Sequence, residues 1–248
     1  MIVINTQGVV LRTMKYKEND IILTLLTRQY GKVTAIARGA QRQKSKFLAG
    51  SQLFSYNTYT LKKQKDMFVV YQCENIKSFY NISSDFEAFS YATFIVKLVE
   101  NNSIEGQTNN RLFELLVHTL FLYSEKADNK MFLLDAFILK FIDFIGYRPN
   151  VDKCSICSRN SYEYALFSIG SGGIVCNHCI DKDDKYFNID QTIVSLMQYI
   201  LATEIVDCSK AQVANVLVEQ LYSLLKMYLI HYFDNTSFKS IDMFKGIK

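Results

Sequence analysis

Four of the six cysteines in this 248-residue chain stand in two C-x-x-C pairs, Cys154/Cys157 and Cys176/Cys179, separated by eighteen residues. Each pair can chelate through a tight backbone turn, and two pairs at this separation supply four thiolates for one tetrahedral ion. That chemistry is a structural zinc site, with an Fe-S cluster as the alternative. Between the pairs, Tyr164 to Ser168 and Gly170 to Val175 read as a hairpin that brings them together. His178 lies inside the second pair, but four cysteines already fill the coordination shell, so it reads as a surface or neighbouring residue. Cys73 and Cys208 have no partner cysteine nearby in sequence and read as packed thiols.

A catalytic zinc keeps one position open for water, and nucleotide deaminases add a His-x-Glu motif. The three histidines, His118, His178 and His231, are followed by Thr-Leu, Cys-Ile and Tyr-Phe, so none begins such a motif. Gly170-Ser171-Gly172-Gly173 is not followed by the Lys-Ser/Thr of a phosphate loop. These features argue against an enzyme. No basic segment followed by an apolar one opens the sequence, and later apolar runs are broken by charges, which predicts a soluble cytoplasmic protein without a membrane partner. That compartment disfavours disulfides.

The net charge of +4 is unevenly distributed. Residues 1 to 80 carry 13 Lys/Arg against 4 Asp/Glu, while residues 81 to 150 carry 6 against 9, so the basic excess sits at the N-terminus. This points to a polyanion partner for that region, with nucleic acid the commonest. Four of the nine residues from Arg38 to Lys46 are basic and none is acidic, which predicts a phosphate-wrapping loop. Backbone neutralisation would fall to Arg12, Arg38, Arg42, Lys44, Lys46, Lys62, Lys63 and Lys65. Tyr56, Tyr59, Phe68 and Tyr71 could stack on bases, although alternate residues must fill a small barrel.

The elements that would position these residues follow from period. Val9–Leu11, Ile21–Thr27, Val33–Ala37, Leu53–Leu61 and Met67–Cys73 read as five strands, and five short strands in under 80 residues suit a closed OB-fold barrel. After Asn75 the period moves towards 3.6. Helices are expected near 84–101, 108–125 and 130–146, with Ser84-Asp85-Phe86-Glu87 as an entry signal, and again near 190–203 and 209–233. Positions such as Phe113, Leu116, Val117, Leu120 and Phe121 read as core, as do Val213, Val216, Leu217 and Leu221. The expected class is α+β: an N-terminal five-stranded OB-fold domain at 1–80, then an all-α helical domain at 81–149 and 185–248, interrupted at 150–184 by an inserted four-cysteine zinc knuckle.

This order of parts resembles the bacterial recombination mediator family RecO. The resemblance is carried by Gly8-Val9-Val10-Leu11-Arg12, Tyr16 with Glu18 and Asp20, Leu25-Leu26-Thr27, Gly31-Lys32, and Ala37-Arg38-Gly39-Ala40 with Lys44-Ser45. It continues through Phe144-Ile145-Gly146-Tyr147-Arg148-Pro149 into Cys154-Ser155-Ile156-Cys157, then Phe167-Ser168, Gly172 to Cys176, and Cys179. The family often has a proline where this sequence reads Arg42-Gln43-Lys44-Ser45. The resemblance implies DNA repair without catalytic turnover, in the bacterial cytoplasm at the nucleoid. It also implies binding of single- and double-stranded DNA, annealing of complementary strands, and partnership with RecR and single-stranded DNA-binding protein while RecA is loaded. Two other classes fit the residues by themselves: a zinc-dependent nucleotide or nucleic-acid enzyme, and an RNA-binding OB-fold with a zinc ribbon.

Overall fold

The computed structural model describes residues 2–65, 67–160, 166–181, 185–233, 237–239 and 241–242. The chain gathers into two compact units, 1–127 and 128–248.

In the first unit, β1 (Val3–Tyr16), β2 (Asp20–Thr27), β3 (Gly31–Ala37), β4 (Tyr56–Gln64) and β5 (Met67–Lys77) close into a barrel of order β1-β2-β3-β5-β4. All neighbours are antiparallel except β3 and β5, which run parallel and pair only at Ala35–Phe68 and Ile36–Val69. This is the OB-fold architecture the five strand signals predict. Alternation sends Leu23, Leu25, Val33, Ala35, Ala37, Leu61 and Val70 into one core, joined by Ile4, Val10 and Tyr59. β4 begins at Tyr56 rather than Leu53, because Phe54 takes a left-handed turn (φ 67°) on the way into the strand. β1 is longer than its apolar run: Thr6, Thr13 and neighbouring polar residues continue the ladder beyond it at both ends.

The barrel carries helices α1 (Phe86–Asn102) and α2 (Asn110–Ser124) in its own unit. Asp85 and Asn109 cap them, each accepting a backbone N–H three residues on, at 3.0 Å. Such caps contribute about 1 kcal/mol each. Val9 and Leu11 lie outside the barrel core yet are buried, where α1 packs on β1. The rings of Phe54 and Phe89, and of Tyr56 and Phe113, meet edge to face across this junction. Phe121, expected in the core, is 42% exposed and lies beneath the Lys77 ammonium.

Between α1 and α2 the chain returns to the barrel. Glu105 bridges Gly31 and Lys32, and Gly106 N–H donates to Lys32 O at 3.2 Å. Gly31 sits at φ 62°, and a Cβ there would overlap the Gln107 backbone. Glycine is therefore needed both for its backbone angle and for the close approach.

In the second unit, α3 (Lys130–Phe144) is buried along nearly its whole length and is packed by α4 (Gln191–Ala202), the short α5 (Ile205–Cys208) and α6 (Asn215–Tyr232). α6 starts at Asn215 rather than near 209. The stretch before it is not helical, leaving Val213 half-buried and Val216 60% exposed while Val218, Leu221 and Leu225 fill the core. β6 (Leu166–Ser168) pairs with β7 (Gly173–Val175) as the expected hairpin, and β8 (Tyr186–Asn188) adds a third strand to β6. Tyr164 and Ala165, assigned to the hairpin's first arm, lie outside the described residues. Among the described residues, no helix is long and apolar enough to cross a membrane.

Replacing Gly31 by Ala should destabilise the protein by about 2–4 kcal/mol, combining left-handed strain with displacement of the 104–107 segment. The midpoint of urea denaturation reads this directly.

Candidate metal centre and nucleic-acid interface

The first cysteine pair is set by a turn in which Ser158 N–H donates to Cys154 O (2.9 Å) and Cys154 N–H to Arg159 O (3.0 Å). Ser158 supplies the reversing backbone angle, at φ 60°. The second pair lies on one 3-10 turn, with Cys179 N–H donating to Cys176 O at 2.9 Å. A parallel bridge between Asn150 and Gly173, reinforced by Ser155 N–H to Ile174 O (2.8 Å), lays the first turn against the hairpin that carries the second. Gly173 has no side chain because a Cβ would strike Asn150 O and Ser155 Oγ.

The four sulfurs lie within 4.8 Å of one another, and Cys157 Sγ is 3.6 Å from Cys176 Sγ. This is far beyond the roughly 2.05 Å of a disulfide. It is close to the separation of about 3.8 Å that a tetrahedral ion with metal–sulfur bonds of about 2.3 Å imposes. The donor set therefore fits a four-coordinate thiophilic cation and supplies all of its ligands.

The electrostatics also suit a cation. Burial disfavours the Cys154 thiolate, but backbone N–H groups of Cys157, Cys176 and Ile156 overcome this and hold its pKa at about 6. With one negative sulfur in place, the next is harder to ionise. Cys179 is pushed up to about 12, chiefly by its hydrogen bond with Cys157, then by desolvation and by Cys176 and Cys154. Four thiolates together need a compensating positive charge.

The remaining candidates separate cleanly. His178, His118 and His231 are exposed. Cys73 packs against the barrel core with burial raising its pKa to about 11, and buried Cys208 points its thiol at Thr203 O. Among the described residues the cysteine quartet is the one group of three or more His, Cys, Asp or Glu placed to hold a metal. The knuckle and the chain leading into it are tied down by helix side chains: Gln198 Nε2 donates to Val151 O (2.8 Å), Tyr228 to Tyr147 O (3.1 Å) and Tyr232 to Ile169 O (2.7 Å).

The basic residues divide into two groups. Arg12 Nε contacts Glu100 Oε1 at 2.6 Å, Arg28 reaches Glu114 at 2.7 Å and Lys77 reaches Glu125 at 3.4 Å. Lys32 Nζ donates to Glu100 O at 2.7 Å, near the C-terminal end of α1 where a cation is favoured. Part of the basic excess is thus matched by the acidic excess of the next segment. Opposite charge in adjacent segments was the one sequence signal for this pairing, and it named no partners.

The second group lies on the turns after β3 and on the β4–β5 hairpin. Arg38, Arg42, Lys44 and Lys46 lie on consecutive turns between β3 and β4, anchored by Gly39 N–H to Asp20 Oδ1 at 2.7 Å; Arg38 and Lys44 are exposed. Arg38 reaches Gln64 at 3.1 Å, and Lys65 stands at the β4–β5 turn. Lys62 lies 3.3 Å from the centre of the Tyr71 ring, and Lys63 4.8 Å from that of Phe68. Among the described residues, Arg38, Arg42, Lys44, Lys46, Lys62 and Lys65 make no ion pair.

Of the four aromatic candidates, Tyr59 is fully buried and donates to Gly50 O, and Tyr56 is half-buried against Phe113 with its hydroxyl on Gln7. Phe68 packs on the barrel core. Tyr71 is 51% exposed, because the β4–β5 register shifts by one residue beside it.

Comparison with known proteins matches residues 1–79 to the model of the Recombination protein O N terminal and residues 83–241 to that of the Recombination protein O C terminal. A "DNA repair protein RecO" of Alkaliphilus metalliredigens is 38% identical over 98% of this chain and 99% of its own. Proteins of the same name from Acetivibrio thermocellus and Listeria monocytogenes are 28% identical over 91% of this chain and 90% of their own, and 32% over 77% and 74%. The barrel, the cysteine quartet and these matches along nearly the whole sequence place the chain in the RecO family of DNA repair proteins.

Proposed function

We propose that this protein is a non-catalytic recombination mediator of the RecF pathway. On this reading it binds single- and double-stranded DNA, anneals complementary strands, and works with RecR and single-stranded DNA-binding protein to load RecA at the nucleoid. The observation that carries the DNA-binding part is the basic set beside the barrel: Arg38, Arg42, Lys44, Lys46, Lys62 and Lys65, none of which makes an ion pair among the described residues. Such a surface neutralises phosphates without reading sequence. It also screens two strands from mutual repulsion while their bases stay free to pair, so annealing requires no bond-breaking chemistry. Lys63 belongs to the same surface through its place over Phe68. Arg12 we assign instead to holding α1.

The quartet we read as one structural zinc ion. Four thiolates leave no position for water, so Cys154, Cys157, Cys176 and Cys179 would hold the metal as a scaffold and supply no catalytic site.

Replacing Arg38, Arg42, Lys44 and Lys46 together by Ala should weaken single-stranded DNA binding and reduce the slope of log affinity against log salt by about three. Fluorescence anisotropy over a salt series measures both, and an unchanged slope would remove the loop from the interface. Arg12→Ala should leave that slope alone and lower stability by no more than about 1 kcal/mol, read by thermal denaturation.

For the metal, elemental analysis should find one zinc per chain, lost in Cys157→Ser, and cobalt substitution should give the spectrum of a tetrathiolate site. Chelation should unfold the knuckle and affect DNA binding only indirectly. Metal-free protein that is fully folded yet unable to bind DNA would reverse the scaffold assignment.

A further inference from the structure

The barrel has an open seam. β3 and β5 share only the pairs Ala35–Phe68 and Ile36–Val69, and beside the end of this short ladder lies a cavity of about 540 Å³. Tyr30, Phe68 and Met67 contribute apolar surface to its lining, and Lys63, Thr34 and Glu105 contribute polar groups. Tyr30 is 38% exposed, on the turn between β2 and β3. The Glu105 backbone is held by its bridge to β3, and Thr34 Oγ1 donates to its Oε1 at 3.5 Å. Lys32, also in the lining, donates to Glu100 O.

A ligand that suits these walls has a flat apolar body and a hydrogen-bond donor for the Glu105 carboxylate. A nucleotide of a DNA strand has both if its base carries an exocyclic amine. Cytosine offers N4–H2 where thymine offers the acceptor O4, and a carboxylate accepts from the first and repels the second. Only an unpaired base exposes that edge, and aromatic walls stack on any base.

We infer that this seam cavity captures one unpaired base of a bound strand and favours bases with an exocyclic amine over thymine, with Glu105 as the discriminating residue and Tyr30 as the stacking wall. The inference rests on the reading that the barrel binds DNA, and it adds a base preference that neutralising phosphates cannot produce.

The test uses the full-length protein and labelled oligo(dC) and oligo(dT) of equal length, titrated by anisotropy at neutral pH and one salt concentration. Removing a negative charge changes phosphate attraction equally for both strands, so the ratio of the two affinities isolates the base contact. Glu105→Ala should lower the dC-to-dT affinity ratio about fivefold. Tyr30→Ala, on an exposed turn, should weaken both strands by about the same factor. A ratio that Glu105→Ala leaves unchanged, or affinities that Tyr30→Ala leaves unchanged, would overturn the inference. If salt-dependent binding persists in that case, the DNA-binding reading stands and only the cavity's role falls. If the wild type binds neither strand, both fall together.

Discussion

In the barrel, β3 meets β5 over two residue pairs only, and much of the first unit follows from that short contact. The backbone groups of Gly31 and Lys32 lie beyond the end of the ladder and need partners elsewhere. They find them in Glu105 and Gly106, so the chain must come back to the barrel after α1 before it can begin α2. The return requires a glycine at position 31 and fixes where both helices lie on the strands. Once they lie there, Glu100 and Glu114 stand opposite Arg12 and Arg28. Strand pairing, helix placement and ion pairing are thus one arrangement, and the uncovered remainder of the seam is its cavity.

The effect on charge is a sorting of cations by what they face. Arg12, Arg28, Lys32 and Lys77 are directed at the helix pair and contribute to cohesion within the unit. Among the described residues, Arg38, Arg42, Lys44, Lys46, Lys62 and Lys65 make no ion pair. A count of basic residues treats the two groups alike; their surroundings do not. Arg12 illustrates the sorting: its side chain is 58% exposed, yet its Nε faces a carboxylate that is only 17% exposed.

The parts legible in the sequence were those encoded locally. The cysteine quartet could be read because each pair is one turn of chain and the hairpin between the pairs has its own glycines. The strands could be read from alternation, and four of the five expected helices begin at or within one residue of an Asp or Asn cap, at Asp85, Asn109, Asn129 and Asp190. What could not be read depends on partners distant in sequence. Nothing near Arg12 announces Glu100, and nothing near Tyr186 announces that it joins β6. Tyr59 and Tyr71 look equivalent in the sequence. A one-residue shift in strand register accompanies their difference: Tyr59 is in the core and Tyr71 is half exposed.

The cysteine quartet can also be viewed as a cross-link. A metal shared by Cys157 and Cys176 would close a ring across the eighteen residues between them, as a disulfide would. A covalent tie around a loop of this length raises the free energy of the unfolded chain by about 3 kcal/mol, through lost chain entropy. A metal tie differs in being opened by protons or by a competing chelator rather than by electrons. With a metal bound, the knuckle's persistence would depend on the availability of the ion and on pH, and oxidation of the thiolates would release the tie.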